Sequence, residues 1–150
     1  MKLDPTDRAI INRIQSDFPI HSRPYRIIAQ ELKLQESDVI KRVGDLKAAG
    51  IIRRIGGNFS PHKVGFVSTL CAARVPEDQI EAFAAVVNRY SGVTHNYQRD
   101  HEFNIWFTFI ARSVQEIDRC LEQISRETGV ETILNLPATK VFKIRAEFNV

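Results

Sequence analysis

Four side chains able to do chemistry recur at every second position of one short stretch: His95, Tyr97, Arg99 and His101. If the stretch is a β-strand, alternate residues share a face, so these four fall on one side while Thr94, Asn96, Gln98 and Asp100 fall on the other. The row would offer two imidazoles, a phenol and a guanidinium. Imidazole is the side chain suited to moving protons near neutral pH, and guanidinium pairs with carboxylates in bidentate fashion. At ~3.3 Å per residue the row is roughly 20 Å long, the scale of a large, multiply charged ligand rather than of an amino acid. The following run, Ile105-Trp106-Phe107-Thr108-Phe109, is apolar and aromatic and reads as the buried strand that pairs with it.

Those two strands must be positioned by a domain, and the bulk numbers bound it. A chain of 150 residues, 43% hydrophobic and 26% charged, is an ordinary globular protein of one or two small domains. No apolar run reaches the ~20 residues that span a bilayer. The start, Met1-Lys2-Leu3-Asp4-Pro5, has no apolar signal core, so a cytoplasmic protein with no membrane partner is expected. Cys71 and Cys120 are isolated among apolar neighbours, which suits core thiols and excludes a zinc site on ligand count. No phosphate loop, metal triad or activated serine or cysteine is present in the pattern. The net charge of +3 is unevenly spread: residues 1–65 hold 12 basic against 7 acidic side chains, residues 66–150 hold 9 against 11. A basic first part and a mildly acidic second part fit two modules.

The first module reads as three helices. Asp4-Pro5 supplies an N-cap and a proline at the first helical position, followed by an apolar stripe at Ile10, Ile11, Ile14 and Phe18. Pro24 opens the second helix, and Ser37 is placed to cap a third that runs to Ala49 and stops at Gly50. The segment Ile51 to Phe59, with Gly56-Gly57-Asn58 as its turn, reads as the wing of a winged helix-turn-helix. The second module changes period. A strand over 66–75, a helix opened by Pro76, strands over 93–100 and 103–111, a helix capped at Ser113, and a strand region over 131–136 give β-α-β-β-α-β, the ferredoxin-like order. An alternating tail follows from Lys140 to Phe148. The expected class is α+β, with a winged helix-turn-helix domain over 1–63 and a ferredoxin-like domain over 64–150.

This architecture resembles the Lrp/AsnC regulators over essentially the whole chain, and a DNA-binding transcription regulator is the alternative it suggests. Its third helix argues against that alternative. The turns that would read DNA present Glu36, Asp38 and Ile40, with only Lys41, Arg42 and Lys47 basic, and acidic groups oppose phosphate binding. More specific are Arg53-Arg54-Ile55-Gly56-Gly57-Asn58-Phe59, Gly65 to Cys71, Gly92 to Arg99, Asn104 to Thr108 and Leu134 to Lys140. These stretches resemble the siroheme decarboxylases, most closely the alpha-type subunit. The resemblance implies an enzyme that removes CO2 from two acetate side chains of sirohaem, within the alternative haem pathway or the related nitrite-reductase haem pathway. It implies a related beta-type partner or self-association through the ferredoxin-like sheet, no specific DNA partner, and no cofactor beyond the iron of the substrate. On this reading His95, His101 and Tyr97 are the catalytic candidates. One histidine would supply the proton that replaces CO2 and one could instead ligate the iron. Arg99, Arg53, Arg54, His62 and Lys140 are candidate carboxylate clamps. Trp106 or Phe107 would wall the macrocycle while the other joins the core.

Overall fold

The structure, a computed structural model, describes residues 2–57, 59–144 and 148–150. Two compact units emerge, one formed by residues 1–57 with 143–150 and one by 58–142.

The first unit holds α1 (Pro5–Ile14), α2 (Pro24–Leu32) and α3 (Glu36–Ala48). α1 starts as its sequence demands: the Asp4 carboxylate accepts from the Asp7 N–H at 2.8 Å, and Asp7 accepts from the Asp4 N–H at 3.2 Å. It ends at Ile14, and Phe18, the last residue of the expected stripe, packs instead from the connection, edge-on to Tyr25. Ile10, Ile28, Ala29, Val39 and Val43 are the centre of the helical core, and Leu46 is fully buried. Ser37 does not cap α3, which begins two residues earlier, at Glu36, with Gln35 at the N-cap and no side-chain cap. Glu36 and Asp38 occupy its first turn instead, where the helix dipole favours negative charge. Gly50 adopts φ 72°, the left-handed conformation that closes α3, its N–H donating to the Lys47 carbonyl and the Ile51 N–H to the Leu46 carbonyl. The segment expected to be the wing has no strand over its described residues, and Asn58 of its turn lies outside them. Of the tail, residues 145–147 lie outside the described set and 137–144 form no strand. Its last residues return to α1, where the Gln15 and Asn12 amides each exchange hydrogen bonds with the backbone of Phe148 and Val150.

The charges of α3 are largely engaged within this unit. Arg42 Nη1 lies 2.6 Å from the buried Asp7 carboxylate and 2.8 Å from Asp4, Lys41 pairs with Asp45 at 2.8 Å, and Glu36 is held by Arg23. The Asp7 N–H, and then Arg42, hold the Asp4 carboxyl below the usual carboxylate range. A depressed carboxyl contributes stability above its unfolded pKa of about 3.9 and loses it as pH falls through the folded value. The helical unit is therefore expected to lose stability on acidification below about pH 4. Asp4→Asn, which keeps the cap but not the charge, should flatten that dependence in thermal melts followed by circular dichroism between pH 7 and pH 3.

The second unit holds β1 (Val67–Ala73), α4 (Ile80–Asn88), β2 (Val93–Gln98), β3 (Ile105–Ala111), α5 (Val114–Thr128) and β4 (Ile133–Leu136). The sheet order is β2-β3-β1-β4 with every neighbour antiparallel, the ferredoxin-like arrangement expected. Both helices supply their apolar stripes to one sheet face: Phe83 and Val87 from α4, and Ile117, Leu121 and Ile124 from α5, pack on Cys71, Ala73, Ile105, Phe107 and Phe109. The Ser113 hydroxyl accepts from the Glu116 N–H, the expected cap, whereas the Glu116 carboxylate accepts from the Arg112 N–H rather than from that of Ser113. On the helix side Asn135 joins Asp118 and the Thr69 hydroxyl at 2.9 and 2.6 Å, tying edge strand β4 to α5 and β1. Among the described residues no helix is long and apolar enough to cross a membrane.

Candidate active site

The sheet face away from the helices is where the sequence-selected residues gather. Directly paired residues of antiparallel strands share a face. The register therefore lays out two rows across it: Tyr97, Trp106, Ala72 and Leu134 in one, and His95, Thr108, Leu70 and Leu136 in the next. Leu70, Leu134, Leu136 and Tyr97 are exposed, and Trp106 is half-buried. The β2 side of the face is thus polar and titratable and the β1–β4 side apolar. With four strands about 4.8 Å apart, the face is roughly 14 Å wide. An apolar floor with a polar, cationic edge is complementary to a flat apolar ligand rimmed by carboxylates.

His95, Tyr97 and Arg99 sit on this face together. The His95 and Tyr97 rings stack with centroids 6.0 Å apart, and the Arg99 guanidinium lies over the Trp106 ring at 5.6 Å, a cation–π contact. Trp106 is fixed in turn, its indole N–H donating to the Phe103 carbonyl at 2.6 Å. Of the two aromatic candidates for a macrocycle wall, Trp106 faces the open side and Phe107 is 1% exposed in the core.

Two features differ from a simple alternating strand. A bulge interrupts the pairing between Val93 and His95, so Thr94 and His95 both meet Thr108. Thr94, expected on the opposite face, places its hydroxyl 2.6 Å from that of Thr108 and 3.0 Å from His95 Nδ1. Second, β2 ends at Gln98, so His101 is not a fourth member of the strand row. It stands in the following turn, whose polar run has no apolar alternation to hold it on the sheet. There the His101 N–H donates to the Arg99 carbonyl, the Phe103 N–H donates to His101 Nδ1 at 3.1 Å, and the ring stacks on Phe103. His101 and Arg99 border an open pocket of about 470 Å³ at the end of the sheet, with Gln98, Asp100, Asn104, Glu77 and Ile80.

Asn104, Thr94 and Thr108 also stand at the candidate site, without a role expected from the sequence. The Asn104 amide pairs both ways with the Val75 backbone, at 2.9 and 2.8 Å, and its carbonyl accepts from the Arg99 N–H at 2.8 Å, so it anchors the turn to the end of β1. A polar amide immediately before an unbroken apolar run was the available signal. For Thr108 it was the period-two spacing from Trp106.

The other candidates are placed elsewhere. His62 lies exposed in the 3-10 turn Pro61–Val64 that leads into β1, at the end of the sheet where β2 begins and opposite the His101 turn. Lys140 follows β4, the edge farthest from β2, with its ammonium 5.0 Å over Phe142. Arg53 and Arg54 are exposed and belong to the first unit. Burial pushes the Cys71 thiol up to about 12 and raises half-buried Cys120 as well, so neither is a poised nucleophile. Among the described residues no cluster of histidine, cysteine and carboxylate side chains could hold a metal.

A model of the AsnC-like ligand binding domain matches residues 63–143, and one of the siroheme decarboxylase NirDL-like HTH domain matches residues 7–53. The siroheme decarboxylase alpha subunit of Desulfovibrio desulfuricans is 54% identical over 146 residues, covering 97% of this chain and 84% of that protein. The chain belongs to the siroheme decarboxylase family. The solved siroheme decarboxylase NirDL shares 29% identity with it at a TM-score of 0.68, and this family member covers 47% of that longer chain. NirDL has also been solved in complex with an iron-uroporphyrin III analogue (28% identity, TM-score 0.65, again 47% of that chain). Escherichia coli AsnC, at 18% identity and a TM-score of 0.80 over 97% of this chain and 98% of its own, is alike in fold alone. The fold is thus of the Lrp/AsnC type, with alternate residues of the β2–β3 hairpin, His95, Tyr97, Trp106 and Thr108, on the open sheet face.

Proposed function

We propose that this chain is the alpha-type subunit of a siroheme decarboxylase, a carboxy-lyase. With a related beta-type chain, it removes CO2 from two acetate side chains of sirohaem to give didecarboxysirohaem. The observation that carries the reading is the 54% identity to a siroheme decarboxylase alpha subunit along almost the whole chain. The site lies on the ferredoxin-like domain over 64–150, with the helix-turn-helix domain over 1–63 as scaffold. The apolar side of the sheet face suits the macrocycle or the partner's sheet, and the β2 side suits the carboxylates. The protein works in the cytoplasm, in the alternative haem pathway or the related nitrite-reductase branch. The iron enters with the substrate and no further cofactor is required. Specific duplex DNA is not a partner, since Arg42 and Lys41 are held by carboxylates of their own unit.

Losing CO2 leaves the electrons of the broken C–C bond on the methylene carbon, where the macrocycle can delocalise them until a proton arrives. Histidine is the natural proton source, which makes His95 and His101 the catalytic candidates, with Tyr97 as a hydrogen-bond donor beside His95. Arg99 holds a carboxylate that does not react, because gripping the reacting one would stabilise the ground state and slow the reaction. His62 and Lys140, of the same unit, are further clamp candidates in this reading. Trp106 supports both Arg99 and the ring. Replacing Arg99 by alanine is expected to remove about 1.5–3 kcal/mol of charge-assisted binding, a rise of roughly ten- to a hundredfold in KM with a smaller change in kcat. Steady-state kinetics with sirohaem measures both.

The reading itself is tested by anaerobic incubation of the purified chain with sirohaem, alone and with a beta-type subunit, followed by mass spectrometry of the tetrapyrrole. Loss of the mass of one or two CO2 supports it. Unchanged tetrapyrrole in both arms overturns it.

A further inference from the structure

Both candidate histidines are exposed, but their Nδ1 atoms meet different groups. His101 Nδ1 accepts the Phe103 N–H at 3.1 Å. That donor is not free to swing away. The Phe103 carbonyl is held by the Trp106 indole, the Arg99 N–H donates to the Asn104 carbonyl, and the Asn104 amide is locked to the Val75 backbone. A ring nitrogen that accepts a hydrogen bond carries its lone pair, so neutral His101 bears its proton on Nε2. Ligation of iron through Nε2 would need the ring proton moved to that same blocked Nδ1.

His95 Nδ1 instead lies 3.0 Å from the Thr94 hydroxyl and 3.4 Å from that of Thr108, and the two hydroxyls lie 2.6 Å from each other. A hydroxyl rotates to donate to a bare nitrogen or to accept from a protonated one, and its neighbour reverses with it. The pair, brought together by the bulge at Thr94, serves His95 in both protonation states.

We propose that the two histidines have divided roles: His95 is the proton donor, and His101, its Nδ1 engaged by the Phe103 N–H, is an Nε2–H hydrogen-bond donor that holds a substrate carboxylate. The division rests on the siroheme decarboxylase reading. In each turnover the bond between the methylene and carboxylate carbons breaks, its electron pair stays with the methylene carbon, and CO2 departs with no change of oxidation state imposed on the iron. The proton passes from His95 to that carbon, giving a methyl group, and His95 is reprotonated from water.

Two measurements test this. In the ¹⁵N-labelled chain without substrate, long-range ¹H–¹⁵N spectra of the imidazoles should show His101 as the Nε2–H tautomer with an unprotonated, hydrogen-bonded Nδ1. A protonated Nδ1 or an even mixture of tautomers overturns the assignment, whatever the activity. In anaerobic turnover of sirohaem with the beta-type partner, His101→Gln keeps an N–H at the reach of Nε2 and should stay within about tenfold of wild type. His101→Asn keeps an acceptor for the Phe103 N–H but loses that reach, and should fall further with an unchanged melting curve. His95→Gln has no transferable proton and should lower kcat roughly a hundred- to ten-thousandfold, the range of a general acid. Equal losses in His95→Gln and His101→Gln, or turnover preserved in His95→Gln, would refute the division. A wild-type pair that removes no CO2 refutes the decarboxylase reading and the roles with it, while the tautomer result stands by itself.

Discussion

Alanine at Phe107 and alanine at Trp106, one residue apart, are expected to fail in opposite ways. Phe107 is 1% exposed and packs edge-to-face on Phe83, with Cys71 opposite it on β1. Phe107→Ala opens a cavity in the only layer between sheet and helices and should cost about 3–5 kcal/mol. Against a typical domain stability of about 5–15 kcal/mol, that is between about a fifth and all of the folding free energy. Trp106 points the other way. Its removal takes away the ring under Arg99 and the indole bond to Phe103, but no core contact. Trp106→Ala should therefore cost near 1 kcal/mol in a urea or thermal melt, while sirohaem affinity measured by visible titration falls sharply. Unfolding of both variants, or of neither, would contradict the two-faced reading of β3.

Gly92→Ala is expected to damage both fold and site. A Cβ there would lie 2.2 Å from the Ile110 carbonyl oxygen and 3.0 Å from the Phe109 ring. The first contact is with backbone in the β3 ladder, and the Ile110 N–H already donates to the Gly92 carbonyl at 2.9 Å, so neither strand can yield alone. The cost should reach about 3 kcal/mol, the upper end for overpacking. Because Gly92 leads directly into the bulge, a displaced β2 also carries Thr94 and His95 away from Thr108. Loss of stability and of tetrapyrrole binding should appear together in this variant, in contrast to Trp106→Ala. A melting temperature within 2 °C of wild type, a shift below the ~4–8 °C that 1 kcal/mol gives in a small domain, would rule out the steric argument.

The order of elements was legible in the chain because each carries local instructions. Asp4-Pro5 and Ser113 mark helix starts, Gly50 and Gly129 mark helix ends, and the change from 3.6- to 2-residue spacing marks the passage from helices to sheet. Local instruction was weaker at α3, where first-turn acids replaced the expected Ser37 cap, and in the segments expected as wing and tail, whose described residues form no strand. The pairing of His95, Tyr97 and Arg99 on one face was equally available, since it needs only strand alternation. So was family membership, through stretches that recur over the whole chain.

What tertiary structure alone decided is register and its interruptions. A strand's side-chain period says which residues share a face, not which face is covered. Phe107 rather than Trp106 became core only because α4 and α5 pack on that side. The bulge that moves Thr94 beside His95 depends on how β2 pairs with β3, which the side-chain period of neither strand specifies. His101 left the row because hydrogen bonds from Phe103 and to Arg99 outweighed an alternation with no apolar residues to anchor it. The types of the reactive groups follow from the sequence. Their partners, and hence the protons they can carry, follow from strand pairing and turn geometry, because a hydrogen bond depends on positions that only the assembled sheet fixes.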